Sequence, residues 1–274
     1  VPVARRVQRL DAELVRRGLA RSRDQAAQLI AGGRVEVRGV PATKSATNVE
    51  TNTAIRVVPD DGDPGYASRG GHKLAGALAG FPAITVDGRR CLDAGASTGG
   101  FTDVLLRAGA AEVVAVDVGY GQLAWQLRSD PRVHTLDRTN VRSLTADDIG
   151  GPAELTVADL SFISLRVVLP ALTACTHPDG DLLPMVKPQF EVGKERLGSG
   201  GVVRDPVQRA QAVVAVASVA SDLGWATAGV VRSPLPGPSG NVEFFLWLRQ
   251  QPSVQLSAED IAAIVTSPKE VQVR

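Results

Sequence analysis

Three acids and two lysines stand out in this 274-residue chain because of where they fall beside its apolar runs. Asp93 opens the string Asp93-Ala94-Gly95-Ala96-Ser97-Thr98-Gly99-Gly100-Phe101, which leaves one apolar run and enters a helical pattern. Asp117 closes the next apolar run, 24 residues later. A glycine-rich strand-to-helix turn lets a ligand approach the backbone, and an acid at the end of the following strand can accept hydrogen bonds from ribose hydroxyls. A dinucleotide would call for glycine where Ser97 stands, so that the backbone can meet a pyrophosphate, and Asp93 would repel its phosphates. That acid suits a ligand with a cationic amino-acid end. The expected cofactor is therefore S-adenosylmethionine, ahead of a nicotinamide or flavin dinucleotide and of a purely structural glycine turn.

The third acid, Asp159, ends a later apolar run in VADLSFISL, and Lys187 ends the one after it in LLPMVKPQFE. If these runs are parallel strands, both side chains sit at the carboxyl edge of the sheet, where ligands bind. Composition singles out the lysines, because only 5 of the 30 basic residues are lysine. A partly desolvated lysine can shed its proton and act as a base, whereas arginine stays charged. Lys73 and Lys187 flank the glycine-rich core. An ordinary strand-end ion pair is the plainer alternative for Asp159 and Lys187, and surface chance could account for one of the lysines.

The elements that must hold these residues follow from periodicity. Strand-like runs cover 90–94, 112–117, 132–136, 154–159, 181–187, 226–231 and 242–248. Helical patterns separate most of them, and the Pro/Gly-rich SPLPGPSGN separates the last two. This predicts a doubly wound α/β sheet with an antiparallel final strand. A helical pattern at LSAEDIAAIV follows, with no role assigned.

Ahead of this body lies a short basic head. Residues 1–60 carry 11 Lys or Arg against 6 Asp or Glu, while the remainder carries 19 against 23. A basic head on a mildly acidic body points to a polyanion partner, with a solvated basic face as the alternative. Two short helices are predicted, one over 9–18 and one capped by Ser22, followed by a strand at Val35-Glu36-Val37. Arg5, Arg6, Arg9, Arg21, Arg23 and Lys44 around them are the candidate phosphate contacts, suited to structured RNA read by shape. The expected divisions are 1–60 for the head, 61–72 for a linker rich in proline and glycine, and 73–274 for the body.

The head string RLDAELVRRGLARSRDQAAQLIAGGRVEVRGVPATK resembles the αL-type RNA-binding module of a small-subunit ribosomal protein and of pseudouridine synthases. Over nearly its whole length the chain resembles the TlyA family of bacterial rRNA 2'-O-methyltransferases, also labelled hemolysins, whose catalytic domain is similar to the FtsJ group. SRGGHKL, DAGASTGGFT, DVGYGQLAW, ADLSFISL, VKPQFEVG and PLPGPSGNVEFFLWL carry the likeness. The resemblance implies a Rossmann-like class I methyltransferase fold with a seven-stranded, mostly parallel sheet. It also implies methyl transfer to cytidine 2'-hydroxyls of rRNA in ribosomal subunits or ribosomes. The Lys-Asp-Lys-Glu tetrad of that group falls on Lys73, Asp159, Lys187 and Glu243. The cofactor set becomes Asp93, Gly95 to Phe101, Asp117, Val118 and Asp159, with Asn140 as the adenine contact. One departure is the linker, where Pro64-Gly65-Tyr66-Ala67 stands in place of the Arg-x-Trp-Val of some relatives.

On this reading Lys187 is the general base, Asp159 orients it, and Lys73 and Glu243 position the hydroxyl, with no metal required. Base-amine methylation fits poorly, because Asp159-Leu160-Ser161-Phe162 lacks the tandem prolines usual at that place. A non-catalytic ribosome-binding factor and a membrane-active hemolysin are the other classes considered. No run of roughly 18 apolar residues is present, which disfavours membrane insertion. The expected setting is cytoplasmic. Cys91 and Cys175 lie among apolar neighbours and are expected to be reduced and buried.

Overall fold

A strand that is apolar without alternation can bury both its faces only if helices cover both sides of the sheet, and that requirement shapes the larger part of this chain. The computed structural model describes residues 7–20, 23–58, 62, 64–237 and 239–267. It divides into two units, Val1–Pro64 and Gly65–Arg274. Arg5, Arg6, Arg21 and Ser22 lie outside the described residues.

The first unit contains β1 (Val7–Arg9), α1 (Leu10–Arg16), α2 (Arg23–Ala31), β2 (Val35–Val37), β3 (Val40–Pro41), β4 (Asn48–Glu50) and β5 (Ile55–Val57). Strands β1 and β4 pair antiparallel, and β2 pairs antiparallel with both β3 and β5. Leu10, Leu14, Ala26, Ile30, Val35 and Val49 form its core. The helix expected over 9–18 ends at Arg16, and Gly18 supplies the left-handed turn beyond it (φ +69°).

The second unit begins with α3 (Arg69–Gly80). It continues through β6 (Arg90–Ala94), α4 (Gly100–Arg107), β7 (Glu112–Val116), α5 (Trp125–Arg128), β8 (Val133–Leu136), β9 (Ala153–Ala158), α6 (Leu165–Ala174) and β10 (Thr176–Val186). It closes with α7 (Pro206–Asp222), β11 (Ala226–Arg232), β12 (Phe244–Arg249) and α8 (Ala258–Thr266). The seven strands form one sheet in the order β11-β12-β10-β9-β6-β7-β8, and β12 runs antiparallel to both its neighbours. One face packs on α6, α7 and α8 through residues such as Leu92, Val168, Val213 and Ile261. The other packs on α3 and α4 through Leu74, Leu105, Val157 and Phe245.

The seven-stranded, mostly parallel Rossmann-like sheet and the antiparallel last strand agree with the sequence pattern. The linker expected over 61–72 is corrected at its far end, because Arg69 to His72 form the first turn of α3. Gly70 and Gly71, read as loop, lie in that turn, and at Gly71 the helix is crowded. A Cβ on Gly71 would lie 2.5 Å from the Tyr66 side chain. Tyr66 itself sits under the Arg107 guanidinium at 5.1 Å, and Ala67 N donates to Asp103 Oδ2 at 2.7 Å. Residues 65–68 are thereby fastened to α4.

Candidate active site

Strand endings decide which side chains meet. Asp117, Asp159 and Lys187 each follow the last residue of β7, β9 and β10, which run in the same direction, so all three leave the sheet at its carboxyl edge. Glu243 immediately precedes β12. Because β12 is antiparallel and Phe244 pairs with Val186, Glu243 arrives at that same edge beside Lys187. Lys73 reaches it from the first turns of α3, which Ser68 starts by accepting a hydrogen bond from Gly70 N.

The result is a cavity of about 310 Å³ at the carboxyl edge, at the lower end of the range for small-molecule sites. On one wall Lys187 Nζ lies 2.6 Å from Asp159 Oδ1, a charge contact rather than an aligned hydrogen bond, and donates to Ser161 Oγ at 2.8 Å. Lys73 Nζ donates to Glu243 Oε2 at 2.5 Å, and this pair is buried, with Lys73 7% and Glu243 1% exposed. Gln189 Nε2 donates to the other Glu243 oxygen at 3.3 Å. The four tetrad residues therefore form two lysine–carboxylate pairs.

The glycine-rich turn lines the cavity as well, through Gly95, Ala96, Ser97, Thr98, Gly100 and Phe101. Gly95 has φ +88°, and a Cβ there would lie 2.7 Å from the Asp159 carbonyl oxygen. Only glycine serves at that point. Asp117 does not line the cavity but braces it, accepting from Ser97 N at 2.8 Å and Gly119 N at 2.7 Å.

Strand alternation turns Asp93 toward α4, where it is fully buried and accepts from Thr102 Oγ1 at 2.7 Å. Its other oxygen is buried without a partner. Burial pushes its carboxyl up to about 7, helped by the nearby Asp159 and Asp117 charges and opposed by the Thr102 hydrogen bond.

The remaining expected residues are placed differently. Val118 is exposed and Gly99 lies behind the turn against Leu123 and Leu127. Asn140 is exposed and caps a 3-10 turn, its Oδ1 accepting from Arg142 N at 3.0 Å. In the first unit, Arg9 and Arg23 both bind the Asp11 carboxylate, and Lys44 is exposed. The Arg9 hydrogen bond foremost holds the Asp11 carboxyl down at about 2.

Several residues at the site had not been singled out from the sequence. Ser68, Arg69, Gly70, Ser161 and Pro236 line the cavity, and their only sequence signal was adjacency to Lys73, Asp159 and Glu243 within distinctive strings. Phe162 is 92% exposed, holds a left-handed backbone (φ +64°) and lies 5.3 Å from the Phe190 ring. Lys187 Nζ is 6.0 Å from that second ring. Glu191 ties together the loops that carry Asp159 and Lys187. It accepts from Ser164 Oγ (2.5 Å), Leu165 N (2.7 Å) and Arg166 Nε (3.2 Å), and burial pushes its carboxyl above the ordinary value.

The residues present fit S-adenosylmethionine. A glycine turn admits close backbone approach, Asp159 lines the cavity beside it as an acid for a cationic group, and Asp117 follows the next strand at the same edge. Among the described residues, no helix is long and apolar enough to cross a membrane.

Comparison with known proteins agrees with this geometry. Residues 66–250 match the model of FtsJ-like methyltransferases, and residues 8–55 match the S4 domain. The chain is 64% identical over 259 residues to the 16S/23S rRNA (cytidine-2'-O)-methyltransferase TlyA of Mycobacterium tuberculosis, covering 94% of this chain and 96% of that one. Among solved structures it is similar to a candidate hemolysin from Streptococcus thermophilus. The TM-score is 0.74 at 36% identity, covering 96% of this chain and 95% of the other. A second candidate hemolysin, from Lactococcus lactis, matches at TM-score 0.68 and 40% identity over 73% of this chain and 98% of its own.

Proposed function

Because the chain belongs to the FtsJ-like methyltransferase family, we propose that it methylates cytidine 2'-hydroxyls of rRNA within ribosomal subunits. The observation that carries this reading is that Lys73, held by Glu243, and Lys187, held by Asp159, line the same cavity as the glycine-rich turn. Methylation of an amine needs no strong base, whereas a ribose hydroxyl is a poor nucleophile until its proton is taken. Two amines held by two carboxylates supply one group to take the proton and one to hold the oxygen.

In this mechanism Lys187, once it has passed its own proton to solvent, accepts the hydroxyl proton at Nζ, and Asp159 stabilises the ammonium that forms again. Lys73, fixed by Glu243, directs an N–H at the 2'-oxygen and holds it in line. S-adenosylmethionine, when bound, supplies a methyl group on a sulfonium. Gly95 to Phe101 would hold its amino-acid end, Asp117 its ribose, and Asn140 its adenine through the second lone pair of Oδ1. The exposed ring of Phe162, beside the half-buried Phe190, offers a place for the target base to stack once it leaves its helix.

The S4 domain over residues 8–55, through Arg9, Arg21, Arg23 and Lys44, would place the catalytic unit by gripping phosphates, together with Arg5 and Arg6 just ahead of it. In Arg9 and Arg23 this grip would draw on guanidiniums already oriented by Asp11. The functional division follows the head at 1–60, with the catalytic part beginning at the anchored residues 65–68 rather than at Lys73. A ribosomal substrate sets the place of action in the cytoplasm.

Unmodified ribosomal subunits incubated with methyl-labelled cofactor and then digested with alkali test the acceptor. A 2'-O-methyl group blocks cleavage at its own linkage, so label is expected in alkali-resistant dinucleotides that begin with cytidine. Label confined to mononucleotides would mean base methylation and refute the reading.

A further inference from the structure

Moving a methyl group from a sulfonium to a neutral hydroxyl leaves one proton over for every turnover. In the mechanism above that proton stops on Lys187 Nζ, and the lysine must shed it to water before it can serve as a base again. Direct contact with water is scarce there, since Lys187 is 8% exposed. The side chain lines the cavity, so a ribose seated in it covers what exposure remains. The neighbours of Nζ are Asp159 Oδ1 at 2.6 Å, Ser161 Oγ at 2.8 Å and the Phe190 ring at 6.0 Å. The proton therefore has to leave by way of a side chain.

Two groups touch Nζ closely enough to take it. The Asp159 oxygen that faces the lysine is itself buried, and a proton kept on that carboxylate would cancel the charge that holds the ammonium. Ser161 differs on both counts. It is exposed, lines the cavity, and its Oγ accepts from Nζ. Among the described residues no protein acceptor takes its own hydroxyl proton, which is free to meet water. A hydroxyl can receive a proton on one lone pair while giving up its own, and so passes charge without storing it. The loop that carries Ser161 is fixed at both ends. Asp159 N donates to the Ala94 carbonyl oxygen at 3.0 Å, and Glu191 holds Ser164 and Leu165.

Resting on the reading of Lys187 as the base, we propose that Ser161 is a further catalytic residue, the relay through which Lys187 loses its proton to water. An Nζ–H bond breaks as a new O–H bond forms on Ser161. The original Ser161 O–H bond breaks toward a water molecule, which leaves as hydronium. Lysine is left neutral, its electron pair ready for the 2'-hydroxyl proton, and Asp159 keeps its charge throughout.

The test uses full-length Ser161→Thr, Ser161→Val and Ser161→Ala. Threonine keeps a hydroxyl, valine has nearly the same shape without one, and alanine opens room for a small base. Steady-state methyl transfer to unmodified ribosomal subunits is measured with and without imidazole, and S-adenosylhomocysteine binding is measured by calorimetry. Ser161→Val and Ser161→Ala are expected to lose roughly 10- to 100-fold in kcat, the lower range of proton-transfer catalysis. Subunit KM and S-adenosylhomocysteine affinity should stay within about twofold of wild type, and Ser161→Thr within about threefold in kcat. Imidazole should raise the rate of Ser161→Ala in step with its concentration and leave the wild type unchanged. Unchanged kcat in Ser161→Val overturns the proposal, as does an equal loss in Ser161→Thr and Ser161→Val. A loss in Ser161→Ala that imidazole does not relieve also overturns it, because a merely structural hydrogen bond to Lys187 would be lost in the same way. A fall in S-adenosylhomocysteine affinity or a rise in KM that matches the fall in rate would make Ser161 a binding contact instead. If the wild-type protein transfers no methyl group to any subunit, the functional reading itself fails, a result distinct from an active enzyme indifferent to Ser161.

Discussion

Replacing Glu243 by glutamine should destabilise the catalytic unit far more than a conservative change normally does. The Lys73 ammonium would then remain in a site where it is 7% exposed, with no carboxylate in reach at 2.5 Å. Removing one partner of a buried ion pair costs about 3–5 kcal/mol, because the remaining charge is desolvated and unmatched. Lys73→Met should cost a similar amount, since the Glu243 carboxylate would keep only the 3.3 Å contact from Gln189. Lys73→Met combined with Glu243→Gln leaves no charge to desolvate, and is expected within about 1.5 kcal/mol of wild type. For a unit of this size the single variants should melt roughly 10 °C lower. Urea unfolding followed by tryptophan fluorescence is the assay, because Trp125, Trp225 and Trp247 all lie in the unit Gly65–Arg274. All three variants should lose methyl transfer, so the double variant would be stable and inactive. A double variant as unstable as the sum of the singles, or singles costing under about 1 kcal/mol, would refute the view that this pair is kept for function.

Two further expectations concern Asp93 and Phe162. The Asp93 carboxyl is raised to about 7 by burial, so the folded chain holds that proton where the unfolded chain has lost it. Its stabilising contribution is complete below about pH 4 and fades as pH rises to about 7. The loss approaches roughly 4 kcal/mol in the absence of cofactor. Asp93→Asn should flatten this dependence in urea midpoints measured between pH 5 and pH 8; a parallel decline in both proteins would contradict the assignment. Phe162→Gly removes an exposed ring and relieves a left-handed backbone, so stability should hold or rise by about 1 kcal/mol while transfer to subunits falls. Unchanged transfer would show that the ring does not meet the substrate.

Much of this site could be read before any coordinates, and the reasons differ residue by residue. Asp159 and Lys187 were legible because each ends an apolar run, and parallel strands bring their ends to one edge. Glu243 was reached only through resemblance. Its place depends on the register of Phe244 against Val186, which no periodicity encodes. Arg69 was hidden by Gly70 and Gly71, which look like loop, whereas they lie in α3, where the Tyr66 side chain leaves no room for a Cβ on Gly71. Asn140 illustrates a competing local bond, since its amide oxygen is already engaged by Arg142 N. Asp93 was expected at the ligand, yet the two-residue period of β6 turns it to Thr102, and its influence on the cavity is electrostatic.

The central claim is that Lys187 removes the proton from a ribose 2'-hydroxyl. It is tested most directly by single-turnover methyl transfer to unmodified ribosomal subunits, comparing wild type with Lys187→Arg and Lys187→Ala at equal cofactor occupancy. The account predicts label on a cytidine ribose with the wild-type protein and a loss of at least about 100-fold in both variants, the scale of general base catalysis. Transfer by Lys187→Arg at the wild-type rate would contradict it, because that side chain keeps the charge but has no proton-accepting form near neutral pH.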